Sequence, residues 1–323
     1  MDPLLLVIVT FGLTFVVTAS LAQGFSITPD VLKGALRGHG QLNVMLLISN
    51  FIVLPTLLLG LTSLLPFENQ VKMGIVVLSI TAGSPFIPWL VAQGKGDLGY
   101  SVAVSFCLLI ATLLVVPWAL PLLLNLLDTG ASPSVWTVAW PLLLFIVLPL
   151  VVGILCRARY PRVVQQVAPW LGPVSATFLL VHVSLYIGYS WDELITVAGD
   201  AQLLFLLVFP LAGMLVGYVL SPPYVLSPVP AAHPQRGHKI VSEVAVAEQN
   251  TSVVICCLLV PLGNYLVAGD YGLLGAITTM VVVMIVMLEV GKRVHAPQPA
   301  PASTRPAQPV PEAAAKPAGA AAG

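Results

Sequence analysis

Charge is what this chain has least of. Asp, Glu, Lys and Arg make up 8% of its 323 residues, against about 25% in an ordinary soluble domain. With hydrophobic residues at 58%, there are too few solvated side chains to cover a soluble fold, and the composition points to an all-α polytopic membrane protein embedded in a lipid bilayer. Net charge is zero, so nothing marks a nucleic-acid partner. Cysteine is scarce as well. Cys107, Cys156, Cys256 and Cys257 lie in or at the ends of apolar runs without C-x-x-C or C-x-x-H spacing, and they read as small buried hydrophobes rather than disulfides or metal ligands. The signatures G-x-S-x-G, H-E-x-x-H, G-x-x-x-x-G-K-[ST] and the dinucleotide fingerprint are all missing. No enzyme and no bound cofactor are expected.

What the chain has instead is long apolar runs. Nine can be counted, at about 4–22, 41–65, 71–93, 98–126, 135–156, 168–190, 201–220, 240–262 and 266–290, and a bilayer-spanning helix needs roughly 20 residues. The first reads as a span and not a signal peptide, because Met1-Asp2-Pro3 gives no positive flank and the apolar run is too long. If the N-terminus is outside, the inner loops hold Lys33, Arg37, Lys95, Arg157, Arg159, Arg162, Arg236, Lys239, Lys292 and Arg293, and the outer loops hold only Lys72. That bias predicts N-terminus out and C-terminus in, in a cell (inner or plasma) membrane. An odd number of spans agrees with it.

Two stretches break the apolar pattern by composition. Pro222, Pro223, Pro228, Pro230 and Pro234 crowd the inner loop 221–238, which reads as a semi-rigid linker. From residue 296 to Gly323 the chain is Ala/Pro-rich, a composition that cannot bury a core and predicts a disordered cytoplasmic tail.

Two further breaks fall inside spans. Gly83-Ser84-Pro85-Phe86-Ile87-Pro88 interrupts the third run, where each proline removes a backbone donor. Glu248-Gln249-Asn250-Thr251-Ser252 interrupts the eighth. An ionisable group inside a span costs about 2.5–3.5 kcal/mol on insertion scales, so Glu248 marks a pathway or a site. Paired discontinuous helices are the sequence pointer to a transporter's midplane site, where freed backbone groups line a cavity.

At these residues the chain resembles the bile acid:sodium symporter family. Gln249-Asn250, approached through Ser242-Glu243-Val244-Ala245-Val246-Ala247, resembles the family's Glu-x-Gly-x-Gln-Asn motif. Gly94-Lys95-Gly96-Asp97 with Ser101 and Ser105 resembles its Ala-Lys-Gly-Asn/Asp turn and following helix, and Asn50-Phe51-Ile52-Val53-Leu54-Pro55 its Gln-Phe-x-x-x-Pro stretch. The resemblance implies two inverted five-helix repeats forming a panel domain and a core domain, with two broken helices crossing in the core. On that template the first helix of the first repeat is missing, giving a transmembrane unit over 1–295 with repeats at about 1–127 and 133–295.

The same template implies Na+ as coupling ion, but its ligand positions are degenerate here. Ser101, Ser105 and Gln249 keep side-chain oxygens and Asn50 replaces one amide with another, while the motif glutamate falls on Ala245 and a Ser-Asn pair falls on Ile87-Pro88. Sodium, a hard cation, wants several oxygens, so its coupling role is expected to be crippled. Glu248 has three roles open to it: ligand of a rearranged sodium site, proton-coupling group, or structural partner of freed amides. Glu243 has Lys239 four residues earlier, as in an ordinary helix-surface pair. His182 and Tyr186 share one face of the sixth run, compatible with lining a cavity or with bonding a neighbouring helix.

The expected function is alternating-access transport of a small organic anion or amphipathic organic acid. Its pathway would be formed by Asn50, Ser84, Ser101, Ser105, Glu248, Gln249 and Asn250, with positive half-helix N-termini at the crossing. A proton-coupled or uncoupled carrier, or a transport-inactive sensor or assembly partner, are the alternatives. The oligomeric state is not written in the sequence. One consequence of the cation bias is directly measurable. Cysteines introduced in loop 221–238 are expected to react with impermeant maleimide only from the cytoplasmic side, and labelling from outside would overturn both orientation and span count.

Overall fold

The computed structural model describes residues 3–28, 33, 40–65, 67–192, 201–220, 236–262 and 266–293. Most of loop 221–238, the tail, Arg37, Glu193 and Asp200 lie outside the described residues. Eleven helical elements are described: α1 (Pro3–Ser26), α2 (Gly40–Leu64), α3 (Asn69–Ile80), α4 (Ile87–Gln93), α5 (Leu98–Leu126), α6 (Val135–Arg159), α7 (Pro161–Tyr189), α8 (Ala201–Val219), α9 (Arg236–Ala247), α10 (Thr251–Leu259) and α11 (Leu266–Arg293). Among the described residues, seven stretches are long and apolar enough to cross a membrane: α1, α2, α5, α6, α7, α9 with α10, and most of α11.

Proline does different work at different places. In α2 and α6 the same pentapeptide occurs, Phe51-Ile52-Val53-Leu54-Pro55 and Phe145-Ile146-Val147-Leu148-Pro149. Each time, the turn before the proline widens to a π-helix, at Ser49–Val53 and Leu143–Val147. A wider turn accommodates a ring that has no N–H and would clash with the carbonyl four residues back. Pro117, Pro121, Pro141, Pro169, Pro173 and Pro210 also sit within continuous helices. Segment boundaries shift where polar residues still belong to a helix: α7 begins at Pro161, not near 168, because its first turns carry Arg162, Gln165 and Gln166 ahead of the apolar stretch.

Packing sorts the helices into two groups. α1 lies against α6 and α7, while α8 lies against α9 and α11 against α3, with α5 bordering α3, α4 and α9. Small residues let backbones touch in both. A Cβ on Gly24 of α1 would stand 2.4 Å from the Leu150 carbonyl oxygen, and one on Gly153 of α6 2.6 Å from that of Leu21. On the other side, a Cβ on Gly217 of α8 would stand 2.4 Å from the Ser242 carbonyl oxygen of α9. Such close approach is how helices associate where lipid removes any hydrophobic drive between them.

The interrupted span α9–α10 is 94% buried, against 22–39% for the six other candidate spans. Protein surrounds it, so its polar residues do not face lipid. Lys239, expected on a helix surface, is only 5% exposed, and its ammonium stands 3.5 Å from the centre of the Tyr218 ring on α8. The close α8–α9 approach is what brings that cation under an aromatic face.

Because Gly153 touches backbone, Gly153→Val should force α1 and α6 apart. Overpacking of this kind typically costs about 1–3 kcal/mol, so the detergent-solubilised variant should lose size-exclusion monodispersity at a lower temperature than wild type. Exposed Gly172→Ala, which meets nothing, should not.

Candidate functional site at the meeting of two interrupted helices

Between α3 and α4 the backbone leaves the helix over Thr81–Ser84, extended at Thr81, and turns at Pro85-Phe86. Pro88 is not part of this interruption. It stands in the first turn of α4, where a proline removes no helical bond. The decisive residue is Gly83, at φ +81°, where a Cβ would lie 2.2 Å from the Leu109 amide nitrogen. Glycine is required twice over, by the positive φ and by the backbone of α5 pressed against it.

Glu248-Gln249-Asn250 separate α9 from α10, and Asn250 joins the two interruptions. Its amide donates to the Thr81 carbonyl at 3.2 Å and its Nδ2 to the Gly83 carbonyl at 2.8 Å. Its Oδ1 accepts from Val253 N at 3.2 Å, capping α10. Thr112 of α5 holds Ala82 from both ends, its hydroxyl donating to the Ala82 carbonyl and accepting from the Ala82 amide, each at 3.0 Å. Buried backbone groups freed by the first interruption are thereby answered one by one.

Glu248 is fully buried. Ser84 Oγ donates to its Oε1 at 3.3 Å, and Oε2 has no hydrogen-bond partner among the described residues. Ser105 of α5 donates to the Ser84 carbonyl at 2.7 Å and accepts from Gln23 Nε2 of α1 at 3.0 Å. Gln249 turns its Nε2 back to the Ala247 carbonyl at 3.2 Å. Ser84, Ser105, Glu248 and Asn250 are therefore linked into one network, to which Gln23 and Thr112 belong although the sequence did not single them out. Gln23 lay just past the expected end of the first span, and Thr112 was one hydroxyl in a long apolar run.

Other expected pathway residues are engaged locally. Ser101 donates to the Leu98 carbonyl at 2.7 Å. Asn50, in the π-turn of α2, donates to the Leu46 carbonyl at 2.9 Å and leaves its buried Oδ1 unpartnered. His182 Nδ1 is 2.9 Å from the Ile8 carbonyl oxygen of α1, with the Tyr186 ring 5.8 Å away.

A cavity of about 660 Å³ lies beside the network. Its walls come from α1, the Pro85-Phe86 turn and Trp89, α5, α7 and Met280 of α11, and its polar lining side chains are Gln23, Ser26, Ser105 and Ser175. No charged residue lines it. Ser105 and Gln23 belong to both cavity and network. His182 and Tyr186 are not among the lining residues.

A family model, that of the sodium bile acid symporter family, matches residues 10–197. The chain belongs to that family. The match takes in α1 to α7 and the first interruption, and it ends before the second. The human "P3 protein" is 23% identical over 200 residues, which are 61% of this chain and 41% of that protein. The chain thus spans about two fifths of that relative's length. Family and helices together make this a multi-pass membrane protein of a transporter family.

The residues present do not suit the sodium that the family name implies. Ala245 and Ile87 are fully buried apolar side chains and Pro88 faces the cavity, so three positions that resemble ligand positions offer no side-chain oxygen. Of the oxygens that remain among the described residues, Asn50 Oδ1 and Glu248 Oε2 are open, while the carbonyls of the first interruption are engaged. Gly83 and Thr81 carbonyls accept from Asn250, the Ala82 carbonyl from Thr112, and the Ser84 carbonyl from Ser105. Beyond those two open oxygens, a hard cation would have to displace these bonds to gather several ligands.

Thr112 offers a direct check on the network. Thr112→Val keeps the shape and leaves the buried Ala82 amide and carbonyl unpaired, a loss of about 1–3 kcal/mol. Thermal unfolding in detergent should fall accordingly, and Thr112→Ser should retain most of the wild-type value.

Proposed function

We propose that the chain is a secondary transporter of amphipathic organic acids that works by alternating access. The carrying observation is the cavity of about 660 Å³ that shares Gln23 and Ser105 with the network holding Glu248. Its size falls in the range of small-molecule sites, roughly 300–1,000 Å³. Its walls favour one of the two expected substrate kinds. A small hydrophilic anion would lose its hydration to an apolar surface with no cation in reach, whereas an amphipathic acid buries its apolar body and presents one polar end to Gln23 and Ser105.

Half-helix N-termini give little help to an anion here. Phe86 N donates to Ser84 Oγ, Ile87 N to the Ser84 carbonyl, Pro88 has no amide hydrogen, and Val253 N donates to Asn250. Coupling falls to Glu248. A carboxylate buried with one hydroxyl donor lacks compensation for its charge, and a bound proton supplies it. In this reading the α1–α6–α7 group and the α3–α5, α8–α11 group move against each other as panel and core. Nine passes are counted by including α3–α4 and α8, in a unit over 1–295 with inverted repeats and a cytoplasmic C-terminus. The cavity lies toward the end of the molecule that carries Lys95, the expected cytoplasmic side.

Reconstituted protein should take up a labelled steroid carboxylate, cholate, into liposomes in a saturable way. Acid on the side from which substrate enters should accelerate uptake, and replacing sodium by potassium should change it little. Glu248→Gln should insert and bind yet lose the pH response, while Glu243→Gln should keep it. A steep, saturable sodium requirement would sink the proton reading and install Glu248 as a cation ligand. Binding without uptake would mark a sensor.

A further inference from the structure

Glu248 does not line the cavity, so occupancy must reach it through intervening groups. The chain of hydrogen bonds from Gln23 supplies that path. Gln23 is 9% exposed, faces the cavity from α1 and donates from Nε2 to Ser105 Oγ at 3.0 Å. Ser105 donates its single hydroxyl proton to the Ser84 carbonyl at 2.7 Å, and Ser84 donates its own to Glu248 Oε1 at 3.3 Å. Bond polarity is fixed by the donors available. A carbonyl has no proton, so Ser105 must give to Ser84 and can only receive from Gln23.

Resting on the transporter reading above, we infer that Gln23 is the residue that reads the polar end of the substrate and relays its presence to Glu248. Gln23 Nε2 carries two hydrogens, and a carboxylate oxygen is a stronger acceptor than the Ser105 hydroxyl, so an acid entering the cavity turns the amide toward itself and draws Nε2 away from Ser105. Ser105, released from α1, reorients against the Ser84 carbonyl. Ser84 carries both that carbonyl and the hydroxyl that reaches Glu248, within a turn held by Phe86 N on the same oxygen, so a shift at one end is felt at the other. Gln23 also stands in the α1–α6–α7 group while its partner stands in the other, which places the exchanged bond across the surface that must slide. Coupling of this kind is reciprocal: protonation of Glu248 changes cavity affinity by the same factor as occupancy changes proton affinity.

Few groups compete for that role. The titratable and charged groups on the elements around Glu248 are Arg236, His238, Lys239 and Glu243 on α9, Cys256 and Cys257 on α10, Tyr218 on α8, Asp270, Tyr271, Glu289, Lys292 and Arg293 on α11, Tyr100 and Cys107 on α5 and Lys72 on α3. Among the described residues Ser84 is the one bonded to the Glu248 carboxyl.

The test uses Gln23→Met, which keeps length and removes the donor, in full-length protein in nanodiscs. Radiolabelled cholate binding is measured over a pH series, and hydrogen exchange of the Thr81–Phe86 segment is measured without ligand. The variant should bind about tenfold more weakly, as expected for one lost hydrogen bond to a charged group, and its affinity should no longer vary with pH. Exchange in Thr81–Phe86 should rise, with Thr177→Ala on the exposed face of α7 as an unaffected control. Weaker binding with a wild-type pH profile would make Gln23 a plain contact and overturn the relay, as would exchange changes confined to α1 and α5. Failure of wild type to bind cholate would instead reject the substrate reading, and the exchange arm would then decide the relay by itself.

Discussion

Backbone groups released by a broken helix cannot turn to water in the middle of a bilayer, and in this protein each break is answered by the other. Asn250 is where that constraint concentrates. One residue ties Thr81 and Gly83 of the first interruption to the cap of α10 in the second, so neither break is tolerable without its partner. The near-complete burial of α9–α10 follows from the same need, since lipid could not replace those bonds.

Helix packing is arranged around that junction. Gly83 admits the α5 backbone, Gly217 admits α9 to α8, and Thr112 reaches the non-helical Thr81–Ser84 backbone from the side. These contacts hold the two interrupted helices together at their meeting point. The apolar cavity beside it is different in character. It lies between that meeting point and the α1–α7 wall, and the Gln23–Ser105 bond that spans the gap is a single hydrogen bond, worth about 0.5–1.5 kcal/mol net. In the proposed movement of the two groups, that bond is the polar contact that would have to change.

The same economy of oxygen bears on the sodium in the chain's family name. The carbonyl oxygens of the first interruption are spent on Asn250, Thr112 and Ser105, and, with Ala245 apolar, the buried carboxyl of the second is Glu248, next to Gln249. There it meets Ser84 rather than a ring of ligands. A proton needs one oxygen where sodium needs several, and Glu248 Oε2 is one that remains open.

Sequence alone determined the helical class, the two interruptions and the polar residues at the second, because apolar length and a buried carboxyl's cost are properties of local composition. It located the first interruption too broadly, since proline was taken as its agent. Six prolines besides Pro55 and Pro149 lie inside continuous helices among the described residues, and Gly83, through positive φ and contact with Leu109, is what the break depends on. Gln23 and Thr112 were illegible for another reason. A single amide or hydroxyl in an apolar run has no meaning until its partner is known, and Ser105 stands 82 residues from Gln23 as Ala82 stands 30 from Thr112. Tertiary structure decided those pairings, because hydrogen bonds are set by proximity across helices that sequence spacing does not encode.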